Sequence, residues 1–277
     1  MRITYTSSSG KFFEFSGGAR CKIKTANFHN WAFTPQATSL QYGESVQMLK
    51  RAAAQYPVEL YVTGDKWERE VFLRGFHEAA AADLFANKTG VLQWGDWKLD
   101  CYISSSSTFP HAERQFTTVN QVTVYAPRPF WYRLDEIEIV IPEVTITDGL
   151  NFPFDFEYDF TEEDTAYMIA ESKHYKESDF ILKIQGYATA PCVRINGHPY
   201  QVYAEVAEGS VLTVDSREKT VITTYPSGRT INNFAERRKD YSLFQKVPAG
   251  PLVISLNGDF SATLGLIYER NEPTLWI

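Results

Sequence analysis

Apolar and polar side chains alternate along much of this sequence. The alternation runs from Arg20 to Lys24, and it returns from Val58 to Thr63 before stopping at Gly64. A period of two places successive side chains on opposite faces of a strand. The first half of the chain is therefore predicted to open with half-exposed β-strands.

A helical period follows directly. Asp65 stands three residues before Glu68, an arrangement typical of a capping box at a helix start. Apolar residues then recur near helical spacing, and residues 87–90, Asn-Lys-Thr-Gly, supply a stop signal. The pattern predicts one main helix between these signals, with Glu44 to Gln55 as a second, shorter candidate.

The next segment predicts a hairpin. Two alternating runs, residues 91–94 and 97–103, flank Gly95-Asp96, the composition of a type II′ turn. A polar loop is expected over Ser104 to Thr108. A strand is expected from Gln115 to Tyr125, ending where Pro127 and Pro129 remove backbone donors.

The second half alternates short strands with turns and predicts an antiparallel β-sandwich or jelly roll. The predicted strands are 180–185, 192–195, 211–214, 220–225, 243–247, 252–256 and 262–268, and Gly, Pro or Asn lies between most of them. A change of character near residue 135 divides the chain into domains 1–135 and 136–277. An acidic connection is expected around 143–177, with its most acidic part at Asp155 to Asp164.

Composition agrees with a β-rich fold, because 19 Phe and 16 Tyr supply residues that suit pleated surfaces. The net charge of −7, with basic residues scattered, argues against specific nucleic-acid binding. The start of the sequence lacks a signal-peptide pattern, and no apolar run is long enough to span a membrane. Synthesis in the cytoplasm and no membrane partner are expected. The three cysteines, 21, 101 and 192, are predicted to be buried thiols on strands.

A search for catalytic or ligand-binding motifs yields no candidate residues. The nucleophile elbow G-x-S-x-G is absent, and the five histidines show no metal-ligand spacing. The carboxylates at 155, 157 and 159 are spaced like calcium ligands, but Phe160 occupies the position where an EF-hand needs glycine. No phosphate-binding loop is present. We therefore predict a protein that is not an enzyme, with no catalytic residue, no cofactor and no metal.

Three stretches resemble the siphophage distal tail protein (Dit) family. The first runs from Phe72-Leu73-Arg74-Gly75-Phe76 through the helix to Gly90-Val91-Leu92 and Trp94-Gly95-Asp96-Trp97. The second, residues 122–132, ends in Pro-Phe-Trp-Tyr. The third is a series of turns across the second domain: Ile195-Asn196-Gly197, Gly209, Leu212 to Asp215, and Pro248-Ala249-Gly250. The family's asparagine after this last turn is replaced by Pro251 or Leu252 here.

The resemblance implies a tail hub. Its N-terminal domain would be a β-barrel or sandwich-like ring domain with one main helix and a hairpin, forming a six-fold ring that continues the tail tube and provides a DNA channel. The C-terminal domain would be a galectin-like or jelly-roll β-sandwich. Expected partners are further copies of the chain, the tail tube protein, tip or baseplate proteins and a receptor-binding protein, at the virion tail tip.

Two tryptophans, Trp94 and Trp97, are candidate subunit-interface residues, because aromatic residues are enriched at interface cores. Simple packing in the core is the alternative for both. A different functional class also stays open, a carbohydrate-binding module that uses tyrosines such as 200, 203 and 225 to stack on sugars. Hydrolysis is a third class, which no residue pattern favours.

Overall fold

The computed structural model describes residues 2–110, 116–141 and 167–273. The chain divides into two compact units: Met1–Arg133 with Glu269–Ile277, and Leu134–Tyr268. The boundary predicted at residue 135 falls within strand β10 (Trp131–Ile139). The acidic stretch Asp155 to Asp164 lies outside the described residues.

The first unit contains ten strands and one long helix, with β10 passing into the second unit. The elements are β1 (Ile3–Thr6), β2 (Phe12–Glu14), β3 (Cys21–Ala26), β4 (Thr34–Ser39), β5 (Glu44–Lys50), β6 (Ala54–Thr63), α1 (Lys66–Ala86), β7 (Gly90–Trp94), β8 (Trp97–Pro110), β9 (Thr117–Ala126) and β10. One sheet has the order β10-β8-β7-β1-β2, and the other has the order β3-β6-β9-β8. Strand β8 serves both, with a register shift between Ile103 and Ser105. The core lies between these sheets and α1.

The second unit is an antiparallel sandwich. Its further strands are β11 (Tyr167–Ser172), β12 (Asp179–Gln185), β13 (Ala188–Thr189), β14 (Cys192–Ile195), β15 (His198–Gln201), β16 (Glu205–Val206), β17 (Val211–Asp215), β18 (Thr220–Thr224), β19 (Thr230–Asn232), β20 (Gly250–Leu256) and β21 (Ser261–Arg270). One sheet has the order β19-β18-β17-β12-β21-β10, and the other β11-β20-β14-β15. Their inner faces share one apolar core.

These elements confirm the mainly β fold class with one main helix, the hairpin and the C-terminal sandwich. Helix α1 has the predicted capping box: Glu68 N donates to Asp65 Oδ1 at 2.8 Å and Asp65 N donates to Glu68 Oε2 at 3.2 Å. It ends at Asn87 in the left-handed conformation. Gly95, in the predicted hairpin turn, has the positive φ of 59° that a type II′ turn requires.

Four local predictions differ from the structure. Residues 44–50 form strand β5 instead of a helix, because pairing with β4 supplies their backbone partners. Ser104 to Thr108 belong to β8, whose polar half forms a ladder with β9. Residues 243–247 are not a strand: Leu243 and Val247 are buried, and only Val247 makes an isolated bridge, to Ser178. Strand β11 also occupies the end of the range 143–177 predicted as a connection.

A buried carboxyl group joins α1 to the N-terminal strands. Asp83 is fully buried and accepts hydrogen bonds from Tyr5 Oη at 2.5 Å, Ser8 N at 2.8 Å and Ser8 Oγ at 2.6 Å. Burial, reinforced by the bond to Asp83, raises the pKa of Tyr5. Gly90 lies against the same ring, where an added Cβ would be 2.6 Å from Tyr5 Cζ. The close approach explains why residue 90 has no side chain.

The three cysteines are buried on strands, as predicted. Burial raises the pKa of Cys21 to about 12 and also raises that of Cys101. The pKa of Cys21 in the folded chain is above the unfolded value of about 9. The contribution of this protonated thiol to the unfolding free energy is therefore fully present below pH 9 and is lost as the pH rises toward 12. We expect the unfolding free energy of the first unit to fall more steeply above pH 9 in the native chain than in Cys21→Ala, by roughly 1.4 kcal/mol per pH unit.

Urea unfolding measured from pH 8 to pH 11 checks this expectation. The comparison uses the slope of the unfolding free energy against pH, because the cavity left in Cys21→Ala lowers that free energy by the same amount at every pH. Equal slopes in the two proteins would show that the Cys21 thiol does not contribute.

Candidate assembly surface

Strands β4 and β5 form a hairpin that stands apart from both sheets of the first unit. They pair only with each other among the described strands. Every residue from Thr34 to Lys50 is exposed. We call this hairpin, residues 34–50, the arm.

The arm has one apolar face. Cross-strand partners share a face, and the register pairs Pro35 with Leu49 and Ala37 with Val46, with the polar pair Ser39 and Glu44 on the same face at the tip end. A bulge makes this possible: the partner shifts from Met48 to Val46, so Gln47 is an extra residue. In a regular strand without a bulge, Val46 and Leu49 would be three residues apart and would lie on opposite faces.

The opposite face of the arm is mostly polar. It carries the pairs Thr34 with Lys50, Gln36 with Met48 and Thr38 with Ser45. The Gln47 side chain also turns to this side, donating to Thr38 Oγ1 at 2.8 Å. The arm is therefore amphipathic, although no other described part of the chain covers its apolar face.

The exposed apolar area is unusual for an isolated hairpin. Val46 and Leu49 are 56% and 60% exposed, and Tyr42 at the tip is 87% exposed. A two-stranded hairpin is at best marginally stable in water, and contiguous exposed apolar patches mark binding surfaces. The arm has the properties of an element that is completed by another polypeptide.

Arg51 holds the base of the arm. Its Nη1 donates to Asn271 Oδ1, and its Nη2 donates to Asn271 O at 3.1 Å. The guanidinium carbon lies 4.8 Å from the ring centre of Phe130 and 5.9 Å from that of Phe33, just before β4. One side chain thus connects both ends of the arm to the first unit.

Replacing Arg51 with alanine is expected to loosen the arm while the unit stays folded. Losing about 1 kcal/mol of hydrogen bonding would raise the fraction of molecules whose arm is detached at its base roughly fivefold. Chymotrypsin cleavage at Tyr42 and Leu49 measures that population when opening is fast. Asn271→Ala is the matched variant and should give a similar increase, whereas unchanged cleavage in both would show that Arg51 does not restrain the arm.

Helix α1 exposes large apolar side chains near both of its ends. Trp67 and Phe85 are 71% and 92% exposed, and Val71 is 44% exposed. Trp67 and Phe85 are 18 residues apart, which is five turns of 3.6 residues, so they lie on the same side of the helix. The opposite side packs inward through Phe76, whose ring meets Tyr5 edge-on with centroids 6.0 Å apart.

The sheet β3-β6-β9-β8 has an open polar face. A groove of about 430 Å³ crosses it and is lined by Thr25, Pro57, Val58, Glu59, Ser105, Ser106, Ser107, Gln121, Val122 and Thr123. Hydroxyl and amide groups dominate its polar lining. Lys24 is paired nearby with Glu59 at 3.4 Å, so the face has little unbalanced positive charge.

The two tryptophans predicted at an interface lie in the core of the first unit. Trp94 is 1% exposed and meets Phe28 edge-on at a centroid distance of 5.8 Å. Trp97 is 6% exposed, with the Arg133 and Arg270 guanidinium carbons 5.5 and 4.9 Å from its ring. Both rings therefore pack within the subunit, and their interface role stays a prediction.

The arm was missed because its apolar residues do not alternate regularly.

The structure also shows where the tyrosines proposed for sugar stacking lie. Of the tyrosines proposed for sugar stacking, Tyr200 is 1% exposed and Tyr203 is 55% exposed, so the prediction is wrong for Tyr200. Tyr200 fills the sandwich core and donates its hydroxyl to Gln245 O at 3.0 Å. Within the described residues, no group of three or more His, Cys, Asp or Glu side chains is placed to hold a metal ion. No helix in those ranges has the length and apolarity to cross a membrane.

Solved structures identify the fold. A crystal structure of the Dit protein of phage SPP1, described as a paradigm of the hub adsorption apparatus in phages that infect Gram-positive bacteria, aligns with a TM-score of 0.61. The alignment covers 97% of this chain and 99% of that one at 9% identity. The fold is that of a phage Dit hub protein.

Two structures of the phage p2 baseplate agree with this Dit fold. Both show the activated conformation, one with Sr and one with Ca, and both align with a TM-score of 0.63 over 98% of this chain and 99% of theirs. Sequence identity is 12% and 11%. No protein-family model and no curated protein matches the sequence. The resemblance drawn from sequence motifs is confirmed at the level of the fold.

Proposed function

We propose that this chain is a structural hub subunit at the distal end of a long, non-contractile phage tail. Six copies form a ring that joins the tail tube to the baseplate or tail tip and leaves a channel for DNA. The Dit fold over nearly the whole length supports this assignment, because both units of the chain are included in the match. The protein is made in the cytoplasm of the bacterial host and acts as a building element without catalysis.

The observation that carries the proposal is the arm with its uncovered apolar face. A closed ring repeats one heterologous contact, in which a projecting element of each copy meets a different surface of the next. The arm projects, is amphipathic and is anchored at its base by Arg51. The contact it would make in a ring covers Val46 and Leu49, which are exposed in the single chain.

The charge of the chain suits a DNA channel. A net charge of −7 repels phosphate groups at short range, and specific binding needs the clustered basic residues that this sequence lacks. The hydroxyl- and amide-lined face of β3-β6-β9-β8 offers a surface of the same character. DNA would slide past such a wall without being held.

The proposed partners occupy the two ends of the ring. The tail tube protein would stack on one side, and tip or baseplate proteins, including a receptor-binding protein, on the other. Trp67 and Phe85, exposed near opposite ends of α1, are further apolar side chains available for such contacts.

Labelling of intact virions tests the assignment. Antibody fragments raised against the purified chain should decorate only the tail end farthest from the capsid in negative-stain images. A fragment against the major capsid protein provides the control for labelling efficiency. Decoration along the whole tail, or none on tails whose capsids are labelled, would contradict a distal hub.

A further inference from the structure

A groove of about 370 Å³, which we call the trench, runs between α1 and the paired ends of β8 and β9. Its α1 wall carries Lys66, Arg69, Glu70 and Leu73. The last three are three, four and seven residues after the first, so the four side chains form one row along the helix. The two cations lie toward the start of this row, and the apolar Leu73 lies at its end.

The opposite wall of the trench belongs to the polar half of β8 and to β9. Pro110 pairs with Thr118, and Thr108 is two residues before Pro110, so these three side chains lie on one face of the sheet. Asn120 pairs with Thr108 and shares that face, and its Nδ2 lies 3.4 Å from His77 Nε2 on α1. The face is therefore turned toward the helix, and both walls direct their side chains into the trench.

The trench has an excess of positive charge at the end where α1 begins. Lys66 Nζ is 4.0 Å from Glu70, and the Lys66 side chain is 86% exposed, so this ion pair is weak. Arg69 Nη1 donates to Gly64 O at 2.7 Å, which orients its guanidinium at the same end. Two cations thus accompany one carboxylate, and a further acidic side chain entering from outside would be attracted to them.

The apolar face of the arm carries a complementary order of side chains. Glu44, Val46 and Leu49 share this face, from the tip toward the base. Their partners on β4 are every second residue from 39 to 35, so neighbouring side chains in the series are about 7 Å apart along the strand. Val46 is therefore about 7 Å from Glu44 along the arm, and Leu49 is about 14 Å from it.

The row on α1 has a matching spacing. A helix rises about 1.5 Å per residue, which places Leu73 about 10 Å beyond Lys66. With Glu44 next to Lys66, Leu73 would lie midway between Val46 and Leu49. In this register the acidic group meets a cation while the apolar side chains meet each other.

We propose that the arm of each copy lies in the trench of the neighbouring copy, with Glu44 facing Lys66 and Arg69. This inference rests on the proposed ring and names the surface that receives the arm. A projecting element and a separate concave surface on the same chain are what a closed heterologous ring requires. The groove of about 430 Å³ described above is less suitable, since hydroxyl and amide groups and the carboxylate of Glu59 line it.

Disulfide cross-linking tests the contact in the full-length chain. After mild oxidation, Glu44→Cys combined with Lys66→Cys should give a ladder of covalent multimers, from dimer to hexamer, on a denaturing gel without reductant. Ser45→Cys combined with Lys66→Cys is the matched control, because Ser45 adjoins Glu44 but lies on the polar face of the arm. The three native cysteines are buried, so the unmodified chain should give no ladder.

Exchanging the charges tests the same contact without added cysteines. Glu44→Lys should raise the protein concentration needed for half-assembly about fivefold, because it places like charges together. Adding Lys66→Glu to this variant should reverse most of the loss. Glu78→Lys makes the same change of charge at an exposed position of α1 outside the trench and should leave assembly unchanged.

Three results would overturn the proposal. The first is equal cross-linking by the two cysteine pairs, and the second is a disulfide that forms only within single chains. The third is a ring that shows neither the cross-link nor any effect of Glu44→Lys, which would leave the hub assignment intact and assign the trench to another polypeptide. A native chain that forms no ring in light scattering would instead contradict the hub itself, and this contact with it.

Discussion

Replacing Val46 and Leu49 together with aspartate is expected to convert the assembled ring into single chains that remain folded. The two side chains share the apolar face of the arm and are more than half exposed in the subunit. Burying each would contribute about 2 kcal/mol, so the loss weakens every contact by roughly a thousandfold. Two carboxylates that must be buried without partners weaken it further.

The arm itself provides the control. Thr38 and Ser45 pair across its polar face, and aspartates there add the same charge to the same hairpin. Light scattering should show a ring for Thr38→Asp with Ser45→Asp and a mass near 31.6 kDa for Val46→Asp with Leu49→Asp. If both double variants assemble, or both fail, the apolar face is not the contact surface.

Replacing Asp83 with alanine is expected to destabilise the first unit by about 3 kcal/mol, because it leaves the buried hydroxyl of Tyr5 without an acceptor, which costs about 1 to 3 kcal/mol, and removes two hydrogen bonds from the exposed Ser8. Asp83→Asn retains one acceptor oxygen and should lose about half as much. Every tryptophan among the described residues lies in the first unit, so tryptophan fluorescence during urea unfolding reports on that unit.

Two comparisons make the Asp83 result specific. Glu78→Ala removes an exposed carboxylate from the same helix, where the nearest cation, Lys11, is 3.9 Å away, and should change stability by less than about 0.5 kcal/mol. In a double-mutant cycle, the losses of unfolding free energy caused by Tyr5→Phe and Asp83→Asn should sum to more than the loss in the double variant. A loss under about 1 kcal/mol in Asp83→Ala would show that water or a local rearrangement satisfies these donors.

Local sequence chemistry predicted those elements whose signals are complete within a few residues. The capping box at Asp65 and Glu68 and the glycine with positive φ in the 94–97 hairpin need no distant partner. The polar half of β8 was missed because its stability comes from β9. There Asn120 donates to Ser106 Oγ at 2.8 Å and to Thr108 Oγ1 at 2.6 Å, contacts that neither segment reveals alone.

The candidate surfaces were less predictable for the same reason. Val46, Met48 and Leu49 were placed in the helix candidate Glu44 to Gln55, because their alternation along a strand becomes regular only when the bulge at Gln47 is known. Gly43, with a φ of 83°, was the local sign of a turn between two strands. Trp94 and Trp97 were chosen for their residue type, yet burial depends on the whole core.

The hub account is tested most directly by the mass and shape of the native chain in solution. Light scattering and negative-stain images of one purified fraction should show a particle of about six times 31.6 kDa, or a stack of such particles, with a central hole. A mass of 31.6 kDa at every concentration, both alone and mixed with the tail tube protein of the same phage, would contradict ring formation.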